Sequence, residues 1–118
     1  MKRFPSIKKN SDFQRIYKKG RSYANRLLIM YVEETDKEKS YVGISISKKV
    51  GNSVVRHHLC RLVREIFRLN KHRIRTGLNI IIIARPEAKN SNFHQLESAY
   101  LHLCGLHNMV ENRSDGHD

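Results

Sequence analysis

The chain has 118 residues and 39% hydrophobic content, enough for one domain with a modest core. Lys and Arg total 23 against 11 acids, a formal charge of +12, which costs stability through self-repulsion and points to a polyanionic partner. No apolar run approaches the ~20 residues of a membrane span, the basic N-terminus has no apolar stretch behind it as a secretory signal would, and Cys60 and Cys104 form neither a CxxC nor a zinc spacing. A reduced, cytoplasmic setting is the expectation.

In chain order, residues 1–9 are basic, carry Pro5 and read as an extended arm. Asn10 or Ser11 can cap a short helix on which Phe13, Ile16 and Tyr17 share one side, and Gly20 ends it. A short strand near residues 21–23 can precede "LLIMYVE" (27–33), a full strand. "SYVGISIS" (40–47) is another, with Val42, Ile44 and Ile46 facing one way and Tyr41, Gly43, Ser45 and Ser47 the other. With the polar turn "ETDKEK" between them, these two strands predict an antiparallel hairpin. Asn52 or Ser53 then caps a long basic helix running towards residue 75, and Gly77 breaks the chain. "LNIIIIAR" (78–85) has four consecutive isoleucines, so it predicts a strand covered on both faces or central in its sheet, stopped by Pro86. Ser91 can cap a last helix that buries Phe93, Leu96, Tyr100 and Leu103; both cysteines fall in helices as small, buried or half-buried thiols. The chain thus reads as a single domain over residues 1–110, followed by a polar, disordered tail at 111–118.

The charge is concentrated in two blocks. Residues 1–26 and 48–75 each carry nine bases and one acid. On a helical wheel at about 100° per residue, His57, Arg61, Arg64, Arg68, Lys71, His72 and Arg75 form one stripe about 120° wide. Val55, Leu59, Leu62, Val63, Ile66 and Leu69 occupy the opposite side. A merely solvated face would interleave both signs, because like charges at i, i+4 repel. A stripe with so little acid predicts a surface for nucleic acid, with Arg able to pair phosphate oxygens bidentately and stack on bases. Lys48, Lys49, Gly51 and Asn52 lead into the helix N-terminus, although the spacing of a nucleotide P-loop is missing. His57, His58 and Cys60 lack the further ligands a metal site needs and the orienting group a Cys–His nucleophile needs. No metal site and no catalytic residue is expected in the chain. A second surface is the small, polar face of the 40–47 strand, bordered by Phe13, Tyr17 and Tyr31. These aromatics either stack the bases of a single strand or simply anchor the first helix to the sheet.

At these residues the sequence resembles the bacterial ribonuclease P protein subunit. The resemblance covers about residues 8–105 and includes "KKNSDFQRIYKKG" (8–20), "YANRLLIMY" (23–31), "VGISISKKVGNSVVR" (42–56), "RLVRE" (61–65) and "IIIIAR" (80–85). Its most specific feature is a Lys-Lys-x-Gly-Asn-x-Val-x-Arg run, which Lys48 to Arg56 matches in full. The sequence departs from the family pattern at His57, His58 and Cys60, which replace Asn, Arg and Lys; charge there is lower at neutral pH and sensitive to acid.

The resemblance implies an α+β fold: a two-layer α/β sandwich with a four-stranded mixed sheet and about three helices. It also implies a left-handed β-α-β crossover through the basic helix, against the usual right-handed rule. It implies a noncatalytic subunit of an endoribonuclease whose partner RNA, with Mg2+, removes the 5′ leader of precursor tRNA; the protein alone would bind no cofactor. Contacts to the catalytic RNA fall to Lys48, Lys49, Asn52, Arg56, His57, Arg61, Arg64 and Arg68, and leader contacts to Phe13, Tyr17 and Tyr31. The expected partners are that RNA and precursor tRNA, with no membrane and no obligate protein partner. A general RNA-binding domain and a self-sufficient protein nuclease are the competing readings. The second would need a carboxylate cluster, whereas the acids fall mainly in the hairpin turn and the C-terminal part.

Overall fold

The computed structural model describes residues 6–109. The expected tail at 111–118 and the first five residues of the basic arm lie outside the described residues. In chain order the elements are α1 (Asn10–Lys19), β1 (Arg21–Ala24), β2 (Leu28–Glu34), β3 (Tyr41–Ser45), α2 (Ser53–Asn70), β4 (Leu78–Ala84) and α3 (Phe93–Leu106), with short 3-10 turns at Lys71–Arg73 and Pro86–Asn90.

The four strands form one mixed sheet in the order β1-β2-β4-β3. β2 pairs antiparallel with β1 and with β4, while β3 pairs parallel with β4. The isoleucine strand is therefore central. The expected hairpin is corrected: β2 and β3 do not pair, because β4 lies between them. A strand with four consecutive isoleucines needs cover on both faces and a neighbour on each side. Inserting β4 supplies it, and β3 is left at the sheet's edge. The parallel β3–β4 pair is joined through α2, the crossover that parallel neighbours require.

Alternation divides the sheet. Leu28, Met30, Val32, Val42, Ile80 and Ile82 point into the main core, where they meet Leu59, Val63, Ile66 and Phe67 of α2 and Leu96, Tyr100, Leu103 and Cys104 of α3. Full burial of each large apolar side chain contributes about 1.5–3 kcal/mol. Phe67 and Tyr100 meet edge to face, with ring centroids 5.1 Å apart. Sheet, α2 and α3 make the two-layer sandwich. On the other sheet face Ile81 is buried, and α1 covers part of that face with its fully buried Ile16.

Several local expectations shift. α2 stops at Asn70 rather than running to 75. The Asn70 amide turns inward, donating to the Ile66 carbonyl and the Glu97 carboxylate, both at 2.9 Å. The buried arc of α2 is rotated towards Phe67, which leaves Leu69 exposed at its margin. Asn52 caps α2, its side chain accepting from the Val55 N–H at 3.0 Å. Asn92, rather than Ser91, caps α3 in a reciprocal box with Gln95. The residue flanking the start of α1 is Lys9, which makes no side-chain cap. Residues just before α1 lie along the β3 edge: Ser6 bridges Val42, and the Ile7 N–H donates to the Val42 carbonyl at 2.9 Å.

Gly77 turns the chain into β4 with φ +77, and a Cβ there would lie 2.8 Å from the Lys37 carbonyl oxygen. Gly77→Ala is expected to lower stability by about 1 kcal/mol or more, read from the urea midpoint at unchanged slope.

Candidate nucleic-acid interface

The segment between β3 and α2 is shaped by one anchor. Val50 is buried, and its N–H donates to the Ser47 carbonyl at 3.1 Å, closing a turn. Lys48 and Lys49 are thereby turned out to solvent. Asn52 is exposed, but its side-chain oxygen is committed to the helix cap, so only its amide N–H groups are available to a partner. Arg56 is half-buried and donates from Nε to the Gly51 carbonyl at 3.2 Å, which binds the first turn of α2 to the loop before it.

Beyond that turn the expected stripe stands clear of the core. His57, Arg61, Arg64 and Arg68 are all exposed, while Leu59, Val63 and Ile66 on the same helix are buried. Arg61 and Arg64 carry no ion pair to a carboxylate among the described residues. Arg68 is partly compensated: its Nε donates to Glu65 at 3.0 Å across one turn. That contact holds the Glu65 carboxyl below its usual range and raises the Arg68 guanidinium above its own. Both side chains remain nearly half exposed, so the pair contributes little to stability. The stripe ends sooner than the wheel predicts. Arg75 lies beyond the helix, where its Nε donates to the Asn108 carbonyl at 3.3 Å and its Nη2 approaches Glu34 at 3.4 Å.

The aromatic trio assembles on the α1 side of the sheet. Phe13 and Tyr17 have ring centroids 6.2 Å apart, and Tyr17 meets Tyr31 edge-on at 5.0 Å. A Cβ at position 43 would lie 2.7 Å from the Phe13 ring, so glycine lets that ring sit on β3. Burial raises the Tyr17 phenol above its usual pKa, opposed by the neighbouring Ser45. All three rings are half-buried. They anchor α1 and still present ring surface. Beside them Ser45, Ile83 and Ile29 lie in register across three strands, each partly exposed, as an open floor. This floor is at the end of β3 that leads into Lys48 and Lys49.

Sequence reasoning missed a polar network at the end of the sheet opposite this floor. Arg15 donates to both oxygens of Glu33, from Nε at 3.1 Å and from Nη2 at 3.0 Å, and to Asp12 from Nη1 at 2.7 Å. Asn79 donates to the same Glu33 at 2.9 Å. The Arg15 guanidinium holds the Glu33 carboxyl below its usual range. The i, i+3 spacing of Asp12 and Arg15 is visible in the sequence; the partnership with Glu33 needs the fold.

Cys104 is buried and its thiol is pushed up to about 11 by burial, so it is an inert packing group. Among the described residues no three His, Cys, Asp or Glu side chains converge as a metal site requires. No described helix is long and apolar enough to cross a membrane.

This α+β arrangement, with a cationic helix face and an aromatic sheet face meeting at one end, is that of an RNA-binding subunit. A family model described as Ribonuclease P matches residues 1–107. Among curated proteins, the ribonuclease P protein component of Alkaliphilus metalliredigens is 50% identical over 97 residues, covering 82% of this chain and 87% of that protein. The component from Lachnoclostridium phytofermentans is 46% identical, covering 89% and 90%. The RNase P protein of Staphylococcus aureus superposes with a TM-score of 0.83 at 40% identity, covering 90% of this chain and 97% of that one. The Thermotoga maritima protein gives 0.77 at 30% identity, covering 83% and 93%. The chain belongs to the ribonuclease P protein family.

Because the Glu33 carboxyl is held below its usual pKa by Arg15, its charge stabilises the fold fully above the unfolded carboxyl value. That stability is lost as pH falls below about 4.3 and on through the lower folded value. Glu33→Gln is expected to lower stability at pH 7 and flatten the acid limb of a stability-against-pH curve, followed by urea unfolding at a series of pH values.

Proposed function

We propose that this chain is the noncatalytic protein subunit of a ribonuclease P, acting in the cytoplasm, in which the partner RNA with Mg2+ cleaves precursor tRNA to the mature 5′ end. The observation that carries this is the two-sidedness of α2. Its apolar arc is buried in the core while Arg61 and Arg64 stand exposed without an acidic partner among the described residues. The carboxylates of the α1 face do not suit a hydrated Mg2+, since Glu33 accepts from Arg15 and Asn79 and Asp12 accepts from Arg15. We assign no step through the metal to this chain. When bound by the RNA, Mg2+ would supply Lewis-acid activation of the attacking water and stabilise the leaving oxygen.

The chain's own contribution is positional. Lys48, Lys49, Asn52, Arg56, His57, Arg61, Arg64 and Arg68 would grip the catalytic RNA by its phosphates. Phe13, Tyr17 and Tyr31 would stack bases of the leader, with the Ile29–Ile83 floor beneath. Holding the leader in place converts part of substrate binding into orientation of the scissile bond. Cations that screen phosphate repulsion lower the amount of Mg2+ the RNA needs.

The test is reconstitution. Protein freed of RNA should leave precursor tRNA intact, and adding it to the catalytic RNA should restore cleavage in low Mg2+; efficient cleavage by the protein alone would reject the proposal. Arg64→Ala should weaken affinity for the catalytic RNA, whereas Phe13→Ala should weaken affinity for leader-bearing tRNA and spare mature tRNA. A general RNA-binding domain would show no preference between those two substrates.

Log affinity for the catalytic RNA should fall linearly with log salt, with a slope of about −0.7 to −0.9 per phosphate neutralised.

A further inference from the structure

A cavity of about 520 Å3 lies between the turn that joins β1 to β2 and one side of α3. Asn25 builds it. Its side-chain oxygen accepts from the N–H groups of Leu27 and Leu28 at 3.2 and 3.0 Å, which fixes the turn and leaves the amide nitrogen as a pure donor. That nitrogen reaches α3, donating to the Ala99 carbonyl at 3.0 Å and to His102 Nδ1 at 3.1 Å. Because Nδ1 must accept here, the ring proton of neutral His102 sits on Nε2, and that N–H has no partner among the described residues.

The rest of the lining has the same bias. Asn92 and Gln95 each give the side-chain oxygen to the other's backbone N–H, at 2.8 and 2.9 Å, so only their amide N–H groups remain uncommitted. Arg26 is exposed and pairs with no carboxylate among the described residues, and no Asp or Glu lines the cavity. Side chains that spend their oxygens inside the fold and keep their N–H groups suit a ligand that only accepts. With a guanidinium among them, that ligand is a phosphate group.

The placement says whose phosphate. Leu28 pairs with Ala84, and Ser45 pairs with Ile83, so the β1–β2 turn is at the end of the sheet where β3 leads into Lys48, Lys49 and α2. β2 is two strand spacings from β3, about 10 Å. α3 packs beside α2 on the sheet face opposite the aromatic trio. The cavity therefore belongs to the side of the molecule that carries the arginine ridge.

We infer that this cavity is a second phosphate site for the catalytic RNA, in which Arg26, Gln95 and His102 donate to one backbone phosphate beyond the reach of the α2 ridge. The inference rests on the proposed role of the chain as a subunit bound to that RNA.

The test uses the full chain with the catalytic RNA. Gln95→Glu keeps the reciprocal cap of α3, since a carboxylate oxygen accepts from the Asn92 N–H as the amide oxygen does, but it sets a negative charge at the cavity. It should leave the urea midpoint unchanged or higher and weaken affinity for the catalytic RNA by about fivefold or more at low salt. Arg26→Ala should weaken it similarly and make the slope of log affinity against log salt shallower by about 0.7 to 0.9, the share of one phosphate. Lys39→Ala, which removes one positive charge from the exposed link between β2 and β3, should do neither. Ethylation of single phosphates along the RNA should reveal a position where the added group weakens wild-type binding and leaves Arg26→Ala binding unchanged. If both cavity variants bind the RNA as the wild type does while Arg64→Ala binds more weakly, the inference falls and the ridge stands. If Arg64→Ala is unchanged as well, the proposed function itself falls. Weakening confined to precursor tRNA, measured on the assembled complex, would overturn the assignment to the catalytic RNA. Inorganic phosphate that shifts the His102 ring resonances, with RNA affinity unchanged in both variants, would mark a site for the free ion and overturn it too.

Discussion

The structure depends on a strand that must be covered everywhere. Ile80 to Ile83 are three-quarters fully buried, with only Ile83 partly open. Leaving such a strand at an edge would expose both a row of peptide groups and large apolar surface. Placing β4 between β2 and β3 meets that demand, and the rest of the layout follows. β3 is pushed to the edge, the β3–β4 pair becomes parallel, and a long crossover becomes necessary. That crossover is α2, so the most basic helix of the chain is fixed across the sheet by the requirement to cover Ile80 and Ile82. Even-numbered residues of β4 commit one face to α2 and α3. Odd-numbered residues leave the other face to α1 and to whatever binds beside it.

The cations of this protein are not equivalent. Arg15 is spent on Glu33 and Asp12, Arg75 on Asn108 and Glu34, and Arg85 donates to the Asn25 carbonyl at 3.0 Å. These guanidiniums fasten loops and sheet ends. Lys48, Lys49, Arg61 and Arg64 are exposed on the turn and the outer side of α2. A charge used inside the fold offers a polyanion little, because desolvating it again would cost the bonds it already makes. The +12 total therefore overstates the binding surface, and the geometry of α2 reports it better.

Much of this was legible in the sequence because its periodicities are strong. The alternation of Val42, Ile44 and Ile46, the isoleucine run and the opposed arcs of α2 each have one economical solution. The hairpin failed because two sequence signals competed. The short polar link between β2 and β3 favoured local pairing, while the isoleucines demanded two neighbours, and burial won over proximity. The end of α2 was misplaced because Lys71, His72 and Arg75 extend the charge period past a residue, Asn70, whose amide closes the helix from inside. Arg68 is legible as a stripe residue, and its attachment to Glu65 one turn back takes part of its charge out of that stripe. The network around Glu33 was out of reach, since it joins residues 18 and 46 positions apart.

The two candidate surfaces lie on opposite faces of the sheet, which raises the question of how one RNA assembly could use both. The edge position of β3 answers it. Ser45 carries the aromatic side, and five residues later Val50 is already in the main core, so the chain passes from one face to the other through Ser47, Lys48 and Lys49. That crossing is exposed and cationic, and it adjoins the capped N-terminus of α2, whose dipole favours anions. A strand leaving the aromatic floor at this end meets lysines before it meets the arginine ridge. Proximity of the two surfaces thus comes from the edge turn rather than from a shared face. The same geometry separates their chemistry: half-buried aromatic and aliphatic side chains on one side, exposed cations on the other, joined at the edge turn.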